Sequence, residues 1–254
     1  MNDRGLPILM YHSLDESRSV ISTRPAWFVA TLNRLRDARM RAIDLSDWIE
    51  AGRPTVENGF AITFDDGYQN VLDAAEILAR FDWPATVFLV ADRLGQVNDW
   101  EAGSGSIPRL PLLSWRELKH LKAAGFRFGA HSRTHRGLDR LDEMSLVDEL
   151  RGSRDAIEQA AGEPCRLFAF PYGRASKKVR EISCDFFDAS FGTRLNWCRK
   201  RDSRADLPRI DAFYLNSFKR IDRWVIGNSS ASLTARRSLR NLRRWGVDLS
   251  TNFS

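Results

Sequence analysis

Short apolar runs alternate along this chain with longer segments of helical periodicity, and this alternation restricts the fold more than any other feature. In residues 23–40, 71–81 and 144–161, apolar side chains recur at helical intervals. Runs of the kind buried in a parallel sheet lie at residues 6–12, 42–45, 60–64, 84–90, 126–130, 166–170 and 206–211. Strands that alternate with helices usually pair in parallel, with the helices packed outside. The sequence therefore predicts an α/β fold.

Length and composition favour a single domain over residues 1–254. A chain of 254 residues with 43% hydrophobic content can bury one large α/β core. No apolar run approaches the roughly 18 residues of a membrane span, and residues 1–5 lack the features of a secretory signal. Cys165, Cys184 and Cys198 lack metal-type spacing and are interpreted as reduced thiols. We therefore expect a cytoplasmic protein.

The apolar run at 60–64 stops at two adjacent carboxylates, Asp65 and Asp66, followed by Gly67. A turn opened by the glycine lets both side chains lie at the C-terminal rim of the strand, where α/β enzymes place their chemistry. Two neighbouring carboxylates repel each other unless something neutralises one of them, as a bound metal would. By itself, however, Asp-Asp-Gly is more typical of a solvated turn.

A second polar cluster follows the run at 126–130 and contains two of the four histidines of the chain. His131 and His135 are four residues apart, a spacing that places both imidazoles on one side of a helical turn. With a carboxylate from a neighbouring strand end, they offer a divalent metal two nitrogens and one oxygen and leave positions open for water and substrate. The two clusters together predict a metal site.

Three segments of the chain carry a resemblance to a known family. Thr63–Gly67 and residues 131–135 resemble the first two motifs of the NodB-homology polysaccharide deacetylases, also called carbohydrate esterase family four, and Phe170–Gly173 resembles the third. The motif core spans residues 58–175. The resemblance implies a distorted (β/α) barrel of about seven parallel strands. It also implies metal-dependent removal of N-acetyl groups from the amino sugars of a glycan.

By match of motif, the resemblance assigns roles to four side chains. It implies that Asp65 is the catalytic base and that Asp66, His131 and His135 are ligands of a divalent metal. Zn²⁺ is favoured for this ligand set, with Co²⁺, Ni²⁺ or Mn²⁺ as alternatives.

His12 ends the first apolar run and is expected at the same rim. Many family members carry a general-acid histidine in a late motif, but this chain has no histidine after His135. Relatives that resemble the poly-N-acetylglucosamine deacetylases have the motifs in permuted order and carry Tyr-His on the first strand, as Tyr11 and His12 do here. The resemblance therefore implies His12 as the acid that protonates the leaving amine. The alternative is a histidine packed in the barrel mouth without a role in proton transfer.

The third motif implies a substrate groove lined by Pro171 and Tyr172, with the Tyr172 amide stabilising the oxyanion. The common family form has an arginine two residues before the proline, where this chain has Ala169. Because that arginine normally orients the base, Arg174 or another cation is expected to replace it. Trp100 lies in a long loop-like stretch and is a candidate for stacking on a sugar ring, with packing under the loop as the alternative.

The last apolar run offers two further charged residues. Arg209 or Asp211 could orient His12 or Asp65 from across the barrel. A surface salt bridge is the favoured interpretation of either residue alone.

Residues 232–245 predict a basic amphipathic helix. Five arginines share this segment with leucines and a tryptophan at helical intervals, and they account for most of the net charge of +6. Such a helix suits peripheral contact with an anionic membrane surface or closure of the barrel. No nucleic-acid motif accompanies the charge, so nucleic-acid binding is not expected.

Two other functions remain open at the level of sequence. One is a deacylase or deformylase of a lipid-linked sugar at the cytoplasmic membrane face, which the basic segment would suit. The other is a non-catalytic glycan-binding protein with a degenerate site, suggested by the missing arginine and the missing late histidine.

Overall fold

Seven parallel strands form a closed barrel in the computed structural model, which describes residues 5–100 and 107–227. The strands are β1 (Ile8–Tyr11), β2 (Gly59–Phe64), β3 (Ala85–Leu89), β4 (Phe126–Ala130), β5 (Leu167–Ala169), β6 (Ala189–Leu195) and β7 (Leu207–Asp211). Each strand pairs in parallel with the next, and β7 pairs with β1 to close the circuit. The predicted (β/α) barrel is thereby confirmed.

Helices connect most of the strands and pack outside them. They are α1 (Pro25–Asp37), α2 (Leu45–Glu50), α3 (Val71–Ala79), α4 (Trp115–Ala123), α5 (Glu143–Ala161), α6 (Lys177–Ser183) and α7 (Phe218–Ile221). Single 3₁₀ turns occur at Ala91–Arg93, Leu138–Arg140, Pro171–Gly173 and Ala212–Tyr214, and a π turn occurs at Asp222–Ile226. Within the described ranges, no helix is both long and apolar enough to cross a membrane.

The strand residues divide between two apolar clusters, as the alternation of side chains along a strand requires. One cluster fills the barrel interior and includes Ile8, Ala61, Phe88 and Phe191. The other lies between the barrel and its helices and is the larger of the two. Because Asp65 is four residues after Ala61, continuation of the same parity directs it towards the interior, close to the rim.

Two local predictions were wrong. The run at 42–45 is not a barrel strand: only Arg41–Ala42 pairs with β2, and α2 already begins at Leu45. Asp44 caps the N-terminus of α2: its carboxylate accepts hydrogen bonds from the backbone N–H groups of Ser46 and Asp47 at 2.8 and 3.1 Å. The strand that completes the set of seven is instead β6. The sequence did not predict it, because Gly192 and three polar residues interrupt its apolar pattern.

The segment 232–245 lies outside the described residues, so the basic amphipathic helix stays a prediction.

Candidate active site

The strand ends bring both acidic and imidazole side chains to one rim of the barrel. Asp65 and Asp66 follow β2, and His131 follows β4, two strands further round the circuit. The chain turns away after β2 through two consecutive residues in the left-handed region, Asp66 (φ 71°) and Gly67 (φ 75°). A Cβ on Gly67 would lie 2.9 Å from the Leu89 side chain, so both the conformation and the space favour glycine there.

Asp66, His131 and His135 converge on a single buried point. The Asp66 Oδ1 atom lies 3.3 Å from His131 Nε2 and 3.1 Å from His135 Nε2. Ligand atoms of the three residues all lie within 4.8 Å of one another, and each residue is at most 5% exposed. Two imidazole nitrogens and a carboxylate oxygen at this separation are a donor set that fits Zn²⁺ and related divalent cations.

A backbone carbonyl fixes the orientation of the first histidine. His131 Nδ1 lies 2.8 Å from the carbonyl oxygen of Ala169, at the end of β5. Because a carbonyl oxygen only accepts hydrogen bonds, this contact assigns the proton to Nδ1 and leaves the Nε2 lone pair directed at Asp66. Metal-binding histidines are commonly oriented in this way by a second hydrogen bond.

Residues 131–135, called the histidine loop below, do not form the predicted helical turn. Ser132 and His135 have positive φ values of 65° and 62°, which are incompatible with a helix. The buried carboxylate of Glu149, on α5, accepts hydrogen bonds from the Arg133 and Thr134 backbone N–H groups at 2.8 and 3.0 Å. A helix carboxylate thus replaces intrahelical hydrogen bonds, and the two imidazoles meet through loop geometry.

Asp65 forms a separate, fully buried ion pair with Arg209. The guanidinium donates from Nη1 to Oδ1 at 2.6 Å and from Nη2 to Oδ2 at 2.7 Å. It also donates a hydrogen bond to the hydroxyl of Thr63 at 3.2 Å and lies within 6 Å of the ring centres of Phe88 and Phe191. Arg209 is only 1% exposed, so the favoured interpretation of a surface salt bridge was wrong.

The two carboxylates therefore differ in their charge balance. Asp65 has a permanent cation beside it, whereas Asp66 forms ion-pair contacts only with the two imidazoles among the described residues. Burial alone would raise the pKa of Asp66, but the neighbouring histidines hold it well below its ordinary value. Burial lowers the pKa of His135, which favours the neutral, ligating form. An ionised carboxylate beside a neutral imidazole is an environment that attracts a divalent cation.

For Asp65, burial raises the pKa and is the largest single effect, but the charge and hydrogen bonds of Arg209 and the charges of His131 and His12 together outweigh it, so the pKa is lowered. The pKa of His131 is raised: burial lowers it, and the two nearby carboxylates more than compensate. A cation at the site would face the same two carboxylates.

His12 immediately follows β1 and is half-buried. Its charge contributes to the lowered pKa values of Asp65 and Asp66, after the larger effects of burial and nearer partners. The residue therefore lies in the electrostatic range of both carboxylates.

Aromatic rings border the buried triad on its outer side. The ring of Trp100 lies 4.4 Å from that of His135, centroid to centroid, and Tyr172 lies 4.6 Å from it in an edge-to-face arrangement. Tyr172 occupies the 3₁₀ turn after β5 with a φ of 58° and is 36% exposed. These rings line a groove of about 610 Å³, called the arginine groove below because Arg93, Arg136 and Arg140 also border it.

The third-motif turn depends on glycine. Gly173 has a φ of 62°, and a Cβ there would overlap the side chain of Thr193 on β6. Any other residue would force the turn away from the strand.

The structure distinguishes the candidates for the missing family arginine. The Arg174 guanidinium lies over the Tyr172 ring at 6.0 Å, whereas Arg209 holds Asp65. Asp211 caps the following 3₁₀ turn by accepting a hydrogen bond from the Phe213 N–H. The role of Glu149 had no sequence signal beyond its place on an amphipathic helix.

Comparisons with known proteins agree with this geometry. The sequence model of the family described as polysaccharide deacetylase matches residues 52–186. The comparison with curated proteins gave no significant match.

Similar solved structures include BA0330 from Bacillus anthracis, with a TM-score of 0.73 and 20% identity, covering 87% of this chain and 69% of that one. The Streptococcus pyogenes deacetylase PplD in complex with acetate gives 0.70 and 20%, with coverages of 82% and 92%. IcaB from Ammonifex degensii gives 0.67 and 22%, with coverages of 83% and 94%. At these identities the structural similarity concerns the fold.

Proposed function

This chain belongs to the NodB-homology polysaccharide deacetylase family, and we propose that it is a metal-dependent N-deacetylase acting on N-acetylated amino sugars of a glycan. One observation carries the proposal. Asp66 Oδ1 lies within 3.3 Å of Nε2 of both His131 and His135, while Asp65 beside it is held separately by Arg209. The similar fold of a deacetylase from Streptococcus pyogenes that binds acetate is consistent with release of an acetyl group.

In the proposed reaction, Asp65 accepts a proton from the attacking water. Each of its oxygens already accepts one hydrogen bond from Arg209 and keeps further lone-pair capacity for the water. The bidentate contact fixes the plane of the carboxylate, so the base need not reorient during the reaction. Arg209 thus acts as a positioning residue through Asp65.

His12 is proposed to donate a proton to the departing nitrogen, because an amide nitrogen leaves poorly unless it is protonated. The backbone N–H of Tyr172 is proposed to stabilise the negative charge that develops on the carbonyl oxygen. Trp100 and Tyr172 border the groove that would receive the sugar, and Pro171 is buried in the turn that carries Tyr172.

Asp66, His131 and His135 would hold the metal, with Zn²⁺ as the first choice. When bound, such a cation supplies Lewis-acid polarisation of the amide carbonyl and lowers the pKa of water. The ionised carboxylate, the oriented His131 and the neutral form favoured for His135 suit this role. A cytoplasmic location stays part of the proposal.

Acetate release from N-acetylglucosamine oligomers tests the proposal. The purified protein should release acetate, lose this activity on treatment with a chelator and regain it with added Zn²⁺. Asp65→Asn should lower the rate by about 10³-fold, within the range for loss of a general base, while equimolar metal binding survives. Asp66→Asn should lose the metal as well as the activity.

The matched control is Asp73→Asn, an exposed acidic residue on α3, which should change neither activity nor metal content. A protein that binds no divalent metal, or an Asp65→Asn variant with near-normal acetate release, would refute the proposed function.

A further inference from the structure

The arginine groove beside His135 has a marked excess of positive charge. Arg93, Arg136 and Arg140 border it, and the described residues that line it include no aspartate or glutamate. Trp100 and Tyr172 border the same space. The groove adjoins the buried triad, because His135 is itself one of its lining residues.

The charges of the three arginines are not equally compensated. Arg93 pairs with Asp99 at 3.1 Å. Arg136 and Arg140 are exposed, and neither forms an ion pair within the part of the chain that the structure describes. By contrast, Arg133, in the histidine loop, pairs with both Asp92 and Asp148. Acidic partners are thus present around the loop, and none of them is among the described residues that line the groove.

A separate contact extends this basic surface. The Arg174 guanidinium lies over the Tyr172 ring. Single exposed arginines are ordinary features of a protein surface. Several cations around one concave space beside a candidate active site instead create a local positive potential that favours an anionic ligand.

We propose that the arginine groove binds an acidic substituent of the glycan, a phosphate or a carboxylate, next to the N-acetylated sugar. The inference rests on the proposed deacetylase function. Guanidinium groups match both oxyanions through paired N–H donors. The aromatic rings offer apolar faces to the sugar, and a groove of about 610 Å³ is within the usual size of small-ligand sites. The substrate class is therefore an anionic amino-sugar glycan.

Matched oligosaccharides test this inference. A neutral oligomer of N-acetylglucosamine is compared with an alternating N-acetylglucosamine–glucuronate oligomer of the same length, and N-acetylglucosamine 1-phosphate is compared with N-acetylglucosamine. Equilibrium binding to the wild-type chain is measured by competition with a fluorescently labelled oligomer, and acetate release is followed in parallel. The first pair tests recognition of a carboxylate and the second tests recognition of a phosphate.

At least one acidic ligand should bind about tenfold more tightly than its neutral counterpart, the effect of a few exposed charge-assisted contacts. Replacing the two arginines that form no ion pair with another described residue, Arg136→Gln with Arg140→Gln, should bring that ratio close to one. The control is Arg39→Gln with Arg41→Gln, which removes the same charge from exposed residues near the start of β2. It should keep the preference of the wild type.

Equal binding of acidic and neutral ligands by the wild type would overturn the inference. A preference that survives in the groove variant, or that falls equally in the control variant, would overturn it too. Arginine-dependent preference without any acetate release would leave the inference standing and refute the deacetylase function. Acetate release without any preference for the acidic ligands would refute the inference and leave the deacetylase function standing.

Discussion

Removing Arg209 should destabilise the protein and impair the proposed base together. In Arg209→Met, the carboxylate of Asp65 stays buried at 2% exposure but loses both guanidinium hydrogen bonds, which measure 2.6 and 2.7 Å. Loss of one partner from a buried ion pair costs about 3–5 kcal/mol of unfolding free energy. For a chain of this length, that cost lowers the melting temperature by about 10 °C.

The cost should depend on pH in a defined direction. In the wild type the folded-state pKa of Asp65 lies below its ordinary value, so its stabilising contribution is present above the unfolded-state pKa and is lost as pH falls through the folded value. Without Arg209, burial raises the pKa of Asp65, and the variant becomes less stable as pH rises. The difference in stability should therefore be larger at about pH 7 than at about pH 4.

Urea unfolding followed by tryptophan fluorescence measures these differences, with a chelator in every sample so that metal binding does not contribute. Asp65→Asn and the double variant with Arg209→Met complete a double-mutant cycle. The losses of unfolding free energy in Asp65→Asn and Arg209→Met should be markedly less than additive in the double variant, with a coupling energy of about 1–3 kcal/mol. In the metal-loaded protein, Arg209→Met should lower kcat far more than it changes KM, because the residue acts through Asp65.

Arg194→Met is the matched control, since that arginine pairs with Asp202 at 3.3 Å while a third of its side chain is exposed. It should cost at most about 1 kcal/mol. A loss below about 1 kcal/mol for Arg209→Met, or fully additive costs in the cycle, would refute the reasoning about the buried pair.

Three further predictions concern the rest of the site. Gly173→Ala should lower the unfolding free energy, measured with urea, by at least about 2 kcal/mol, because the new Cβ meets Thr193. Gly162→Ala is the control: its φ of 65° is similar but the space around it is open, so it should cost about 1 kcal/mol. Equal costs would contradict the steric argument. Glu149→Gln weakens the anchoring of the histidine loop, so it should lower the affinity for Zn²⁺ by about 10–100-fold. Competition with a chromogenic chelator measures this affinity, and an unchanged value would refute the anchoring role. Saturating Zn²⁺ should raise the unfolding free energy by about 4 kcal/mol at a thousandfold excess over Kd, and Asp66→Asn should abolish this gain; stabilisation of the variant would place the metal elsewhere.

Strand and helix periodicities are local signals, so they predicted the α/β fold, and the family resemblance implied the barrel. Both acidic residues and both histidines stood next to apolar runs, so their convergence followed from parallel strand ends. The strand β6 escaped prediction because Gly192 and polar residues break its pattern. The sequence did not single out Asp44 as the cap of α2, since several adjacent polar residues could serve and only the backbone path decides.

The partner of Asp65 could not be read locally, because 144 residues separate it from Arg209. An arginine within an apolar run is usually an outward-facing residue of an edge or surface. The parity of β7 does contain a signal: Leu207 belongs to the interior cluster, and Arg209, two residues later, shares its face. Only closure of the barrel, by pairing of β7 with β1, shows that this face lies against Asp65.

The pairing of β1, the first barrel strand, with β7, the last, has a consequence for synthesis of the protein. The first strand leads to the proposed acid and the last supplies the cation that holds the proposed base, so a growing chain has no oriented base until residue 209 has left the ribosome. Before that moment the carboxylate at position 65 opposes burial, and the six earlier strands gain little from closing around it. Completion of the barrel and acquisition of catalytic competence are therefore expected to be one event.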